Sequence, residues 1–241
     1  MITMIGVRHV VSISEQVSFI VKHTWPDAVL VELDERRYAS LMNGKREDKV
    51  PDNTRKHRRG LLGDISAHQN KASEKNDAGG ADEMLAAIYA GKTAGADIIC
   101  IDKDAEQVMK EIEENMSFSE RMRFSFSLKT DELFGKSKKK ITRKRFIVDE
   151  ESYVQNMRKK FPTIVEKLVD ERNAFMAEKI RTSSEKYKNM VVVVGDVHVK
   201  GICDILDGIE IDTIRLAEMM DPESMDNIRS RIWNRRAEAS E

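Results

Sequence analysis

The stretch that most constrains the fold of this chain is MVVVVGDVHVKG, at residues 190–201. Five apolar residues, Met190 to Val194, follow one another without alternation, which is typical of a strand covered on both faces. The apolar run stops at Gly195, and His198 follows three residues later. In open α/β folds this position is the carboxyl edge of a parallel sheet, where binding sites are found. The sequence therefore predicts an α/β fold with a histidine at that edge.

A second Gly-x-x-His motif lies at the start of the chain. The segment MITMIGVRHV contains a short apolar strand, then Gly6, and then His9. The next strand signal, AVLVEL at 28–33, carries Glu32 at its end, level with the turn of His9 in a strand–helix–strand unit. Glycine lacks a Cβ, so the backbone at both motifs can turn sharply and come close to a ligand. We therefore expect His9, Glu32 and His198 to meet at one edge of the sheet.

Two further carboxylates are expected near the same edge. DIICID at 97–102 predicts a third strand that ends in Asp102, and Glu83 stands at the head of a predicted helix. Imidazole and carboxylate groups bind zinc, manganese or cobalt and can leave a position open for water. Such an ion lowers the pKa of its water toward roughly 7, and a nearby carboxylate can take the proton. The candidate metal ligands are His9, Glu32, Glu83 and His198.

A structural role competes with this interpretation. A single histidine after a strand is more often a satisfied edge residue than a ligand, but two copies at matching positions with a carboxylate favour function. Arg37 follows Glu32 closely, and the pair Glu171 and Arg172 interrupts the apolar stripe of a helix in VDERNAFMAEKI. These charged residues are either exposed at a wet edge, or they orient a ligand and bind a substrate carboxylate or phosphate.

The chain of 241 residues is predicted to have three parts. Residues 1–116 form an N-terminal α/β part, residues 117–188 a helical insertion, and residues 189–241 a C-terminal α/β part with a tail helix. Within the first part, residues 43–80 are polar, charged and without apolar periodicity. A loop of this length is either a lid or a disordered insertion.

Composition excludes several classes of function. Lys and Arg number 41 against 42 Asp and Glu, so no global charge favours nucleic acid or an anionic membrane. No apolar run approaches the roughly 20 residues that span a bilayer, and the first strand begins too early for a signal sequence. Cys100 and Cys203 are interpreted as buried thiols of a reducing compartment. We expect a soluble, cytoplasmic protein.

Two weaker signals concern partners. The basic run KSKKKITRKR at 136–145 has the charge to bind nucleic acid, but it lacks the interleaved aromatic residues that stack on bases. Nucleic-acid binding is therefore the weakest hypothesis. Trp233, on a predicted C-terminal helix that looks exposed, suggests a partner surface such as that of a homo-oligomer.

Four ordered segments carry a resemblance to a known family. IGVRHVVSISEQVSFIVKHTWPDAVLVELDERRYASL, GADEMLAAIYAGKTAGADIICID, VDERNAFMAEKI and VVVVGDVHVKGI together resemble the TraB/PrgY (pheromone shutdown) family. That family is similar to the Tiki proteases and to the erythromycin-esterase and ChaN-like proteins. The resemblance implies an α/β domain in which the two Gly-x-x-His motifs and glutamates form one active site. Together with the sequence pattern, it predicts a central, largely parallel sheet with flanking helices and an inserted helical subdomain.

The resemblance also assigns residues by position. The matched positions are the motif histidines His9 and His198, the glutamates Glu32 and Glu83, and the polar residues Arg37, Glu171 and Arg172. Asp102-Lys103 stands where the family pattern reads Asp-Arg. Many relatives carry C-terminal membrane helices, whereas this chain shows no such segment, so no membrane span is expected.

Two functions follow from the resemblance. The first is a metal-dependent hydrolase of peptide or amide bonds, with His9, Glu32 and His198 as catalytic residues and a peptide as substrate. The second is a non-enzymatic protein that binds or sequesters a peptide, which requires neither a metal nor turnover. No nucleotide cofactor is expected in either case.

Overall fold

The structure is a computed structural model that describes residues 1–8, 13–44, 79–129 and 150–238. His9, the greater part of the polar insertion and the basic run at 136–145 lie outside the described residues. Contacts between residues divide the chain into two compact units. The first comprises the described parts of Met1–Tyr38, Ala78–Lys103 and Asn173–Glu241, and the second comprises the described parts of Ala39–Asp77 and Asp104–Arg172. The three-part division at 1–116, 117–188 and 189–241 stays a prediction.

The first unit contains a five-stranded sheet. The strands are β1 (Ile2–Val7), β2 (Ala28–Val31), β3 (Asp97–Cys100), β4 (Met190–Gly195) and β5 (Ile211–Ile214). Their spatial order is β3-β2-β4-β1-β5, and every neighbouring pair is parallel. The predicted α/β class with a parallel central sheet is therefore confirmed. Strand β4 lies between β1 and β2, so the two Gly-x-x-His strands are neighbours.

Helices follow the strands in sequence. In chain order they are α1 (Ser14–Thr24), α2 (Glu35–Met42), α3 (Gly79–Ala94), α4 (Ala105–Asn115), α5 (Phe118–Lys129), α6 (Glu150–Lys160), α7 (Pro162–Val165), α8 (Glu171–Lys186), α9 (Asp196–Ile205), α10 (Leu216–Met220) and α11 (Pro222–Glu238), with a π-helical turn at Glu166–Asp170. Among the residues that the structure describes, no helix is long and apolar enough to cross a bilayer.

Burial on both faces explains the unalternating apolar pattern of β4. Val191 to Val194 are all fully buried. One face of the sheet, which includes Val192 and Val194, packs on α8 and α9. On β2, the opposite face contacts α3, where a Cβ on Gly91 would lie only 2.7 Å from Val29 Cγ2. Burying each valine contributes roughly 1.5–3 kcal/mol, so this strand anchors the unit.

The second unit has a small apolar core of its own. It is formed by Val108, Ile112, Met116, Phe124, Phe161 and Ile164. Phe124 and Phe161 pack edge to face, with ring centroids 5.6 Å apart. The buried carboxylate of Glu120 accepts hydrogen bonds from Thr163 N at 3.0 Å and Thr163 Oγ1 at 2.7 Å. It thereby gives a partner to a backbone N–H at the start of α7 that has none within the helix. These contacts hold α4, α5 and α7 together.

An ion pair between the buried carboxylate of Asp196 and the partly exposed Arg215 explains the glycine of the first motif. Asp196 accepts hydrogen bonds from Arg215 Nε at 2.8 Å, Arg215 Nη2 at 2.7 Å and Leu216 N at 3.1 Å. It thereby joins the start of α9 to the start of α10. A Cβ on Gly6 would lie 2.0 Å from Asp196 Oδ1. Gly6 is therefore required for the space that the buried carboxylate occupies.

We expect Gly6→Ala to destabilise the protein by about 2–3 kcal/mol, because the added methyl group displaces Asp196 from Arg215 and leaves a buried charge without its partner. Urea denaturation followed by circular dichroism measures this loss. Gly195→Ala is the matched control, since its Cβ would lie 3.3 Å from the nearest atom and needs only a small adjustment. Equal midpoints for Gly6→Ala and the wild-type protein would contradict this explanation.

Candidate functional site

The parallel sheet brings the predicted residues to one edge. Glu32 directly follows β2, and Asp102 lies two residues after β3. His198 lies three residues after the end of β4, in the first turn of α9. The sequence placed His198 in a turn before a helix at 199–206, but the helix begins at Asp196. Gly195, with φ −55° and ψ 136°, is its N-cap, so β4 passes into α9 without a loop.

Glu32 and His198 meet at the carboxyl ends of β2 and β4. Glu32 N donates to Val193 O at 3.0 Å, which continues the strand pairing up to this residue. The Glu32 Oε1 atom lies 3.4 Å from His198 Nε2, and Gly195 N donates to Glu32 Oε2 at 2.5 Å. One carboxylate oxygen is thus fixed by the backbone while the other faces the imidazole. Both side chains are largely buried, with exposed fractions of 12% and 4%.

The glycine of the second motif lies in close contact with this pair. A Cβ on Gly195 would lie 3.3 Å from Glu32 Oε2 and 3.4 Å from His198 Cδ2, which is tighter than most Cβ contacts. The glycines of the two motifs are therefore favoured for different physical reasons. Gly6 leaves space for Asp196, whereas Gly195 lets the backbone approach the carboxylate and the imidazole closely.

Asn173 is a site residue that the sequence analysis missed. Its Oδ1 atom lies 2.7 Å from His198 Nδ1, and both side chains are buried. A signal was present in the sequence, because Asn173 stands at i in a stripe whose i+3, i+4 and i+7 positions are Met176, Ala177 and Ile180. A polar residue on the buried stripe of a helix needs a buried partner. Periodicity alone does not say which one.

Comparison with known proteins supports the resemblance. A sequence profile of the TraB/PrgY/gumN family matches residues 4–215, a range that includes both Gly-x-x-His motifs. The chain belongs to the TraB/PrgY/gumN family. A relative is MJ1365, an uncharacterized protein of Methanocaldococcus jannaschii, which is 29% identical over 229 residues. The alignment covers 90% of this chain but 57% of the relative, so the chain spans little more than half of that protein.

Two other predicted residues of this TraB-family chain pair with each other. Arg37 Nη1 lies 3.8 Å from Asp102 Oδ2, and the Asp102 side chain is 3% exposed against 32% for Arg37. Asp102 Oδ1 also accepts a hydrogen bond from Lys103 N at 2.8 Å. The buried carboxylate can therefore hold Arg37 in place, with part of the guanidinium exposed. The proposed contact of Arg37 with a substrate anion stays a prediction.

Glu171 and Arg172 belong to the second unit. Glu171 Oε1 accepts a hydrogen bond from Lys167 Nζ, and Arg172 Nη1 donates to Leu168 O at 3.1 Å. Both contacts join residues four positions apart and stabilise the helical path around the π-helical turn. Their assignment to substrate binding or to orienting a ligand stays a prediction.

Glu83 lies in the second turn of α3 and is fully buried. Neither carboxylate oxygen has a hydrogen-bond partner among the described residues. Burial raises the pKa of Glu83 above its ordinary value of 4.5, while the backbone groups of Glu83 itself and of Ile13 act in the opposite direction without completing a well-formed hydrogen bond. A buried carboxyl of this kind either holds a proton or binds a cation.

The two described cysteines are unsuited to nucleophilic catalysis. Burial, with the negative charges of Glu35 and Asp34, raises the pKa of Cys100 to about 12. Burial also raises the pKa of Cys203. Both are free thiols that are partly buried, and the thiolate that attacks substrates would be scarce at neutral pH.

The donor atoms of Glu32 and His198 fit two positions of a metal site. Ligand atoms bound at about 2.0–2.2 Å to a tetrahedral ion lie roughly 3.3–3.5 Å apart, which matches the observed 3.4 Å between Oε1 and Nε2. Over the described residues, no three His, Cys, Asp or Glu side chains form a group that could hold an ion. A protein site normally needs a third ligand. His9 and Glu83 remain the predicted further ligands.

The buried carboxyl of Glu83 predicts a pH-dependent stability. Because the pKa of Glu83 is raised in the folded protein, that state binds more protons than the unfolded chain at pH values between 4.5 and the raised pKa. Stability should therefore fall as pH rises through this window. Glu83→Gln removes the titration, so the variant should gain stability relative to the wild-type protein as pH rises above 4.5.

Urea denaturation at a series of pH values, with a chelator present, measures this difference. Glu185→Gln is the control, because it removes an exposed carboxylate on α8. A stability difference between Glu83→Gln and the wild-type protein that stays constant with pH would contradict the inferred titration of Glu83.

Proposed function

We propose that this chain is a metal-dependent hydrolase of peptide or amide bonds. The observation that carries the proposal is the pair formed by Glu32 Oε1 and His198 Nε2, 3.4 Å apart at the carboxyl edge of the sheet. The hydrogen bond from Gly195 N to Glu32 Oε2 fixes the carboxylate and so supports this arrangement. Family membership supports the correspondence of the two motifs with those of relatives.

The donor set favours zinc, manganese or cobalt, which imidazole and carboxylate ligands bind. His198 Nε2 and Glu32 Oε1 would hold the ion, with His9 and Glu83 as the further ligands that the sequence predicts. When bound, such an ion lowers the pKa of water toward about 7 and polarises a carbonyl group.

The residues of the chain itself determine the nucleophile and the path of the proton. The raised pKa values of Cys100 and Cys203 disfavour a thiolate, so water is the proposed nucleophile. Glu32 Oε1 and His198 Nε2 face one point, and the proton of a water molecule held there would go to a carboxylate that does not hold the ion. The hydrogen bond from Gly195 N to Oε2 restrains the Glu32 carboxylate with Oε1 toward that point.

Substrate recognition is proposed for Arg37. A guanidinium binds a carboxylate through two parallel hydrogen bonds, and Asp102 at 3.8 Å restrains the Arg37 side chain. A peptide with a free carboxylate or an acidic side chain is therefore the proposed substrate class.

The proposal predicts metal binding that depends on the paired residues. After chelation and add-back of zinc, manganese or cobalt, we expect the wild-type protein to bind one ion tightly. His198→Ala should lower the affinity at least about 100-fold, since it removes a direct ligand, whereas loss of an outer partner costs about 10–100-fold. Glu32→Gln replaces a charged ligand of the ion with a neutral one, and it should lower the turnover of a peptide library, followed by mass spectrometry, at least about 10-fold.

His23→Ala is the matched control, because His23 lies on α1, where its Nδ1 atom contacts Phe19 O at 2.8 Å and its ring stacks on Phe19. This variant should bind metal and hydrolyse peptides like the wild-type protein. If the wild-type protein binds none of the three ions better than His198→Ala and leaves the library intact, the hydrolase proposal is wrong. Peptide capture without cleavage would instead support the sequestering function.

A further inference from the structure

Asn173 occupies a position where an apolar residue would ordinarily pack. It lies on α8 with an exposed fraction of 4%, in line with the fully buried Met176, Ala177 and Ile180. Burying an amide among apolar side chains costs free energy unless it forms hydrogen bonds. Its contact at 2.7 Å with His198 Nδ1 satisfies this need and joins α8 to α9.

The backbone of α9 is fitted to this amide. A Cβ on Gly201 would lie 2.2 Å from Asn173 Nδ2 and 3.1 Å from its Cγ. Gly201 therefore leaves the space that the amide needs, one turn after His198 on the same helix. The amide nitrogen faces Gly201 while the amide oxygen faces the imidazole. The Asn173 amide is thus held both by its contact with His198 and by the space that Gly201 leaves beside it.

The two nitrogens of the His198 ring face two acceptors. Asn173 Oδ1 accepts hydrogen bonds and cannot donate one, so the nitrogen beside it, Nδ1, has to carry a proton. A neutral imidazole has one N–H, which leaves Nε2 with a lone pair on the side of Glu32. The 3.4 Å between Nε2 and Glu32 Oε1 is longer than an ordinary hydrogen bond of about 2.7–3.2 Å. A cation bound at about 2.0–2.2 Å to each of the two atoms would be compatible with this spacing.

We propose that Asn173 is a positioning residue that holds the neutral His198 ring as the Nδ1–H tautomer and so keeps Nε2 unprotonated toward Glu32. The use of Nε2 to bind a metal rests on the proposed function. The tautomer itself depends only on the contacts of Asn173, Gly201 and His198. Hydrogen bonds of this type are known to orient histidine ligands and fix their tautomer.

The test is NMR of the imidazole nitrogens in the full, metal-free chain at a pH where the ring is neutral. The chain has five histidines, so the His198 signals are assigned by their loss in His198→Gln. We expect the wild-type protein to show Nδ1–H. Asn173→Leu, which keeps the volume but removes the acceptor, should shift the tautomer ratio roughly tenfold toward Nε2–H, the size of effect expected for one lost hydrogen bond.

Two further variants separate positioning from packing. Asn173→Asp retains an acceptor beside Nδ1 and should keep the Nδ1–H tautomer. Gly201→Ala leaves Asn173 intact but fills its space, and should shift the tautomer like Asn173→Leu. Ile180→Val is the matched control, because it lowers the stability of the same helix in its buried stripe without touching His198.

A wild-type ring with Nε2–H, or an unchanged Nδ1–H tautomer in Asn173→Leu, would overturn the inference. A shift in Ile180→Val equal to that in Asn173→Leu would also overturn it, since the tautomer would then follow stability alone. Metal binding is measured separately on the same variants, with an expected 10–100-fold loss in Asn173→Leu, about the size known for such partners. Absence of metal binding in the wild-type protein would reject the proposed function and leave the tautomer result standing.

Discussion

The parallel pairing of β4 with both β1 and β2 is the constraint on which the rest of the site depends. In this register Val31 pairs with Val193, so the residue after β2 and the first turn after β4 reach the same point of the sheet edge. Glu32 N donates to Val193 O and extends the pairing by one step. A shift of one residue would turn the Glu32 side chain to the other face of the sheet, because side chains alternate along a strand. The fully buried valines of β4 oppose such a shift.

The two Gly-x-x-His motifs are physically coupled, although they are far apart in sequence. The second motif contains Asp196 directly after Gly195, and Asp196 fills the space that Gly6 of the first motif leaves open. Gly195 in turn allows Glu32 to approach the backbone of β4. The same sequence pattern therefore has two different packing roles on adjacent strands. Two glycines, Gly6 and Gly201, each make room for one buried polar side chain of the first unit, Asp196 and Asn173 respectively.

Much of this arrangement could be predicted from the sequence, because it follows from local patterns. The unalternating run at 190–194 predicted a strand buried on both faces, and the end-of-strand positions of Glu32 and His198 predicted their meeting. The contact of Asn173 with His198 could not be predicted, since the helical period gives the face of a residue but not its partner 25 positions away. The pairing of Arg37 with Asp102 could not be predicted for a similar reason. The sequence pattern places each residue near the site but does not indicate that the two contact each other.

Asn173, His198, Glu32 and Gly195 contact one another in that order and form one polar network. In such a network the hydrogen-bonding needs of all the buried groups have to be met together. Each hydrogen bond contributes only about 1 kcal/mol net, but removing one partner leaves a buried group that costs about 1–3 kcal/mol. The imidazole has an acceptor on either side, so changing one partner alters what the other nitrogen can do. Substitutions at Asn173 and Glu32 should therefore have non-additive effects, because both act through the same ring. The buried residues of β4 keep these groups in place. His198 Nε2 and Glu32 Oε1 are therefore held in fixed positions, facing the point at which a bound ion or water could react.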